Sequence, residues 1–452
     1  MKLRRIAELL ISKSAITCFC LVVVQQVIAA SSSIWLKHLS EDLYSGNSLW
    51  TNIILYMASL TLPYIPGGLA LMAIAFWQQE SLKKFVNYFI KNNKNQPFFW
   101  NNKNEKDAKI SLLSNEGQQT ISSFIQYLYA LFSRLLNAAF NIIVLSYIVE
   151  PNFIYGYFIS ILLGAIVMNR FSDKLENIAT KAQDARVNLG KTLLSAWDNV
   201  VLGNRYSFQS WLSQFNTAFF ESKHFNTRST IYQTSISIGI AILTMLPCMS
   251  IAVYSLLVHS ADKAFATTVI VTLPRLFMVL NFTYDLLDLL TEFPVHKSRL
   301  KGIIENVVTP ITHNIDDRVN WSKLKFISNN SALQLNSLQE TLPLIEKPGR
   351  ITIRGENGTG KSTVLLLIQH ELLSRSFYLP AQHHLSFNSI KTGCSTGETL
   401  KLHMQEIFNQ VEADCILLDE WDANLDKSNQ SEISQLIDQL AQNKTVVEVR
   451  HR

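Results

Sequence analysis

The chain has 452 residues, 48 % of them apolar and only 17 % charged, with a formal net charge of +5. That length exceeds one domain, and the charged fraction lies below the roughly 25 % of soluble chains. The cations are spread over loops, with no basic block of the kind that binds nucleic acid, and the five cysteines (Cys18, Cys20, Cys248, Cys394 and Cys415) lack metal-ligand spacing and read as reduced, structural thiols.

The apolar excess is confined to the first 292 residues or so. After the basic start Met1-Lys2-Leu3-Arg4-Arg5, residues 15–36 form an apolar stretch long enough to span a bilayer. A signal peptide is the rival reading, because Val27-Ile28-Ala29-Ala30 resembles a small-residue cleavage site. The further apolar stretches that need a partner helix favour a span. A second span is expected over residues 53–77, bent at Pro63 and Pro66-Gly67-Gly68. Others follow over 124–149, 153–169, 231–258 and 264–290.

Six spans put both ends of the chain on one side. Lysines and arginines concentrate in 78–123 and 170–230, whereas the other loops are short and have few cations. By the positive-inside rule the two basic segments and the C-terminal part are cytoplasmic. Residues 82–90 and 189–201 keep helical apolar spacing, so the spans are expected to continue as helices into the cytoplasm. Reversals are expected near 97–109 and 204–215, the second carrying Trp211 and Phe215 as anchors for a soluble partner or as rings packed within the bundle. Within the sixth span, Arg275, Asn281, Asp285 and Asp288 suggest either a polar translocation cavity or interhelical pairs.

The soluble remainder is organised around Gly355-Glu356-Asn357-Gly358-Thr359-Gly360-Lys361-Ser362-Thr363, which fits G-x-x-x-x-G-K-[ST]. A strand-like run, 350–354, precedes it and a helix-like run follows from Val364. Glycines let backbone N–H groups face a phosphate, and the helix N-terminus adds favourable partial charge. Lys361 would neutralise β/γ-phosphates and Ser362 would hold Mg²⁺. Downstream, Cys415-Ile416-Leu417-Leu418 is an apolar strand ending in Asp419-Glu420. Asp419 suits the Mg²⁺ shell, and Glu420 suits a general base for an attacking water.

The order of these motifs resembles an ATP-binding cassette (ABC) exporter half-transporter over nearly the whole chain. Residues 419–426 are similar to the family's Walker B and D-loop, and Gln382 stands where the Q-loop glutamine stands. Ser395-Thr396-Gly397-Glu398 resembles the signature L-S-G-G-Q, and 447–452 resembles the H-loop, with His451 on the γ-phosphate. The signature departs from the pattern at Cys394, Thr396 and Glu398, and the stretch from Lys361 through Gln382 to Ser395 is far shorter than usual. Trp321 and Phe326 are the nearest aromatics for adenine stacking.

The resemblance implies an all-α six-helix transmembrane domain (1–300), a linker (301–320) and an α/β P-loop nucleotide-binding domain (321–452). It implies an ATPase using ATP and Mg²⁺, with Glu420, His451 and Lys361 catalytic and Ser362, Gln382 and Asp419 on the metal. It also implies a second subunit, most simply an identical one, in a bacterial plasma membrane, surrounded by lipid and exporting a substrate such as a small antibacterial peptide. A lipid or drug substrate, or a non-transporting ATP-responsive regulator or immunity protein, is the alternative.

Overall fold

The computed structural model describes residues 2–102, 105–106, 109–110, 112–148, 150–259, 263–308, 316–328, 331–388, 396–423 and 425–450. The chain divides into two units, Met1–Val86 with Ser114–Glu305, and Asn87–Leu113 with Asn306–Arg452.

The first unit is helical. A short helix α1 (Lys2–Leu10) precedes α2 (Lys13–Ser45), whose start is capped by the Ser12 hydroxyl accepting from the Ala15 N–H. Gly46, at φ 74°, ends α2 in the left-handed conformation that costs glycine little. Helices α3 (Trp50–Thr61) and α4 (Tyr64–Asn93) are separated at Pro63, where the missing N–H breaks the ladder as expected. Helices α5 (Gly117–Ile148), α6 (Phe153–Leu194), α7 (Ala196–Val201), α8 (Arg205–Val258) and α9 (Lys263–Val307) complete the series.

Among the described residues, five helical stretches are long and apolar enough to cross a membrane: Lys13–Ser45, Trp50–Asn93, Leu112–Ile148, Phe153–Leu175 and Arg205–Val258. The sixth span expected over 264–290 corresponds to part of α9, of which the described apolar portion is the shorter Phe265–Val279. Helices α6 and α8 pair along their lengths. Gly156 permits close approach, since a Cβ there would lie 2.8 Å from Ile251 and 3.3 Å from the Cys248 sulfur. The Ser160 hydroxyl donates to the Thr244 carbonyl at 2.6 Å, satisfying a polar group that lipid could not.

The reversal between α7 and α8 lies at 202–204, with Gly203 at φ 71°, earlier than expected. Trp211 and Phe215 therefore stand one turn apart on α8 with stacked rings 5.4 Å apart, and the Trp211 indole donates to the Thr192 carbonyl on α6 at 3.0 Å. They are packed within the bundle. The exposed apolar tip consists instead of Leu194, Trp197, Leu202 and Tyr206.

The second unit is a six-stranded mixed sheet covered by helices. Its strands are β1 (Lys325–Ser328), β2 (Ser331–Leu333), β3 (Gly349–Arg354), β4 (Ser376–Leu379), β5 (Cys415–Asp419) and β6 (Thr445–Val449), in the order β2-β1-β3-β6-β5-β4. The β1 pairings are antiparallel, and β3, β6, β5 and β4 run parallel. Parallel strands are buried on both faces, which accounts for the apolar run Cys415–Leu418 of β5 and for the valines of β6, which Glu448 alone interrupts with a charge. Cys415, Leu417, Val447 and Val449 face a core with Val364, Leu365 and Ile368 of α11 (Lys361–Leu372). Ile416, Leu418 and Val446 face a second core with Met404 and Ile407 of α12 (Thr396–Gln410) and Ile433 and Ile437 of α13 (Lys427–Leu440). A short helix, α10 (Leu338–Ile345), adds Ile345 to the first core. Phe98 and Trp100, from the segment after α4, also pack on that core, and Phe98 stacks on His370 at 4.1 Å.

Candidate functional site

The register of the parallel strands places the expected residues at one end of the sheet. Ile353 pairs with Val449, and Val449 pairs with Asp419. The chain continues from these positions into the 355–363 loop, Arg450 and Glu420 respectively. The crevice beyond the carboxyl ends of parallel strands is where such sheets bind ligands.

The loop is shaped by its glycines. Gly358 and Gly360 have φ of 81° and 93°, a region that side chains disfavour. At Gly360 a Cβ would lie 2.8 Å from the Arg318 carbonyl oxygen, and the Asn320 N–H donates to the Thr359 carbonyl at 3.0 Å, so the segment before β1 braces the loop from behind. Lys361 is buried. Its ammonium donates to the carbonyls of Gly355 at 2.8 Å and Glu356 at 3.2 Å rather than to a carboxylate. A buried cation whose hydrogen bonds, among the described residues, go to neutral carbonyls is poised to accept an anion. Glu356 itself is exposed and pairs at 3.7 Å with Lys323, so its side chain faces away from this arrangement. Asn357 and Thr363 complete the loop and the first turn of α11, and Thr359 is buried with its hydroxyl on the Glu356 carbonyl.

Across from the loop, Asp419 is buried and accepts two hydrogen bonds at 2.9 Å. One comes from the Ser362 hydroxyl and the other from the Tyr378 phenol. Burial pushes the Asp419 carboxyl above its usual range, and the two hydrogen bonds oppose that shift. Burial and the Asp419 charge push the Tyr378 phenol far up, so it remains a donor. Glu420 follows with φ 44°, in the left-handed region for a non-glycine residue, held by its N–H on the Val449 carbonyl at 3.0 Å. Such strain costs about 1–3 kcal/mol and accumulates at functional positions.

Of the other expected site residues, only Gln382 and Gly397 are among those described. Gln382 lies beyond β4 and is exposed. Ser395 and His451 lie outside the described residues, as does Cys394. Gly397 was expected to admit a close approach to a phosphate. On its Cβ side the nearest atom is Asn429 Nδ2 of the same chain, 2.9 Å from where a Cβ would stand. Phe326 is fully buried in the core and cannot stack on a base, whereas Trp321 covers it from the edge of that core.

Three contributors were not foreseen. Tyr378, whose phenol reaches Asp419, carries no motif that marks it in the sequence. Trp421 and Glu448 belong to a buried polar cluster behind Glu420. The Trp421 indole donates to Glu448 at 2.9 Å, and Arg350 grips both Glu448 oxygens at 3.0 and 2.8 Å. Arg450 lies over the Trp421 ring at 5.1 Å and within 3.5 Å of Glu448. The available signal was a lone carboxylate in the strand Thr445-Val446-Val447-Glu448-Val449.

Among the described residues there is no group of three histidines, cysteines or carboxylates able to hold a metal unaided. Ser362 and Asp419 make a site that an Mg²⁺ ion fits only when phosphate oxygens supply further ligands. Sequence comparison finds no matching protein-family model and no matching curated protein.

Proposed function

We propose that this chain is one half of an ATP-driven exporter of the ABC type, carrying a small peptide outward across a bacterial plasma membrane. The observation that supports this most is the buried Lys361 ammonium, hydrogen-bonded to loop carbonyls in a glycine-shaped loop whose next residue, Ser362, bonds Asp419, on a chain that also has five membrane-length apolar helices among its described residues. In this reading the 355–363 backbone and Lys361 bind the β/γ-phosphates of ATP. Ser362, Asp419 and Gln382 hold Mg²⁺, which when bound neutralises phosphate charge. Glu420 accepts the proton of the attacking water, and His451 contacts the γ-phosphate. Ser395 and Gly397 lie in the segment that would close on the nucleotide of a second, identical subunit.

The short 382–397 segment favours one other reading, a regulator or immunity protein that binds ATP and hardly hydrolyses it. Purified protein in lipid distinguishes the two. ATP turnover that rises with added peptide, and that falls about 10²–10⁴-fold in Glu420→Gln while ATP affinity is kept, is the expected outcome. ATP binding without turnover in the wild type would support the regulator.

A further inference from the structure

Arg275 sits twelve residues into α9, within the apolar portion Phe265–Val279. At 1.5 Å per residue that is about 18 Å from the helix start, close to the middle of a hydrocarbon core about 30 Å thick. A guanidinium keeps its charge there, and a charge at that depth needs a purpose or a partner. Its hydrogen-bond partners among the described residues are all neutral. One terminal nitrogen donates to the hydroxyls of Ser32 at 2.7 Å and Ser33 at 2.6 Å; the other donates to the Tyr56 hydroxyl at 3.3 Å, with the Tyr56 ring 5.5 Å from the guanidinium carbon. Asp285, ten residues further along α9 and so about 15 Å away, lies 3.5 Å from a different cation, Arg134. Arg275 thus has no carboxylate among the described residues. Three of its five N–H donors are used, and the half-buried side chain leaves the rest open.

We propose that Arg275, oriented by Ser32, Ser33 and Tyr56, is the recognition point for an oxyanion of the transported molecule, namely a peptide's C-terminal carboxylate. This rests on the reading of the chain as an exporter. A guanidinium fork matches a carboxylate with two parallel hydrogen bonds. The hydroxyls position the fork without neutralising it, which a carboxylate partner would do. Lipid phosphates lie at the bilayer surface, about half the core thickness away, so a membrane-embedded headgroup does not reach this depth.

The test is equilibrium binding to the full-length protein in nanodiscs of uncharged phosphatidylcholine, without nucleotide. The probes are two pools of short random peptides that lack acidic residues, one with a free C-terminal carboxylate and one amidated. Retention beyond that of empty nanodiscs is read by mass spectrometry. The wild type should retain the acid pool about tenfold over the amide pool, the discrimination of one good bidentate contact. Arg275→Gln should lose the preference and Arg275→Lys should keep part of it. Equal retention of both pools by the wild type, retention of neither, or a preference that survives in Arg275→Gln would overturn the assignment. The wild-type comparison needs no variant to fold. Failure of the two readings is separable: absent ATPase activity sinks the exporter, whereas equal retention by a protein whose ATPase responds to peptides sinks this site alone.

Discussion

Asp419 carries two opposing demands. Its burial favours the protonated acid, while a metal shell needs the carboxylate. Its folded-state pKa is raised above the ordinary 3.8, so the folded chain holds the proton more tightly than the unfolded chain. Stability contributed by this group is therefore present at low pH and is lost as pH rises through the raised value. Asp419→Asn should accordingly raise the melting temperature of the unliganded protein at neutral pH by a few degrees, about the shift of a kilocalorie-scale change. If the proposed nucleotide site holds, Mg²⁺ with ATP should stabilise the wild type, and the same variant should lose that stabilisation. A thermal melt followed by tryptophan fluorescence checks both, and a variant that still responds to Mg²⁺ would exclude Asp419 from the shell. Lys361→Ala is the companion case. It removes a cation bonded only to carbonyls, so it should weaken ATP binding by about 10-fold or more, the scale of one charge-assisted contact, with little loss of fold stability. Equilibrium titration with a fluorescent ATP analogue measures this.

At the scale of elements, the sheet end is held in shape by the Glu448 cluster. Glu448 stands next to last in β6, fully enclosed, and joins β3 through Arg350 and Thr352, the turn after β5 through Trp421, and α13 through the Arg350–Asp438 pair at 2.7 Å. Removing one partner of a buried pair leaves an uncompensated charge and costs about 3–5 kcal/mol. Glu448→Ala should lower stability by that order, and Arg350→Met with Glu448→Leu should recover most of it. Denaturant titration tests the pair; equal stability of wild type and Glu448→Ala would show that the cluster contributes nothing. Because Trp421 directly follows the strained Glu420, a Trp421→Phe change should also reduce turnover more than ATP affinity.

Elements differed in how far they were legible from the sequence. The break at Pro63, the loop of 355–363 and the strand ending at Asp419 follow from local rules about missing donors, positive φ and apolar runs. The helical extensions of α4 and α6 follow from apolar spacing that persists beyond the membrane-length stretch. The Arg275 partners, the Tyr378 phenol and the Glu448 cluster do not, since each joins residues separated by dozens to hundreds of positions. Sequence spacing also misplaced the α7–α8 reversal, because the aromatic run from Trp211 to Phe219 reads equally as an exposed tip or as a packed helix face. Gly397 shows the same ambiguity: a glycine that admits a ligand and one that admits Asn429 look alike in sequence.

For the whole molecule the open matter is how many copies make a working site. One chain has a single Lys361 loop and a single 395–398 segment, and in exporters of the type proposed these meet across two subunits. The tip of Leu194, Trp197, Leu202 and Tyr206 is an exposed apolar surface of the kind that marks an interaction site. Complementation between two inactive chains tests a symmetric pair. Gly397 is a less direct choice for the second lesion, because a Cβ there would stand 2.9 Å from Asn429 Nδ2 and displace that side chain in its own chain. Ser395→Arg serves instead, paired with Lys361→Ala. Each chain alone should be inactive. In a mixed dimer one site carries both lesions and the other carries neither. With random pairing, half of the dimers are mixed and each has one intact site, so about a quarter of wild-type ATPase activity should return if sites turn over independently. Separately tagged chains, purified in tandem, show whether mixed dimers form. If they form and remain inactive, the 395–398 segment does not complete a neighbour's site or the two sites must fire together. A Ser395→Arg chain that is fully active alone removes that segment from the site altogether. A wild-type protein that is monomeric in lipid and inactive rules out the identical pair and leaves an unlike second subunit as the partner.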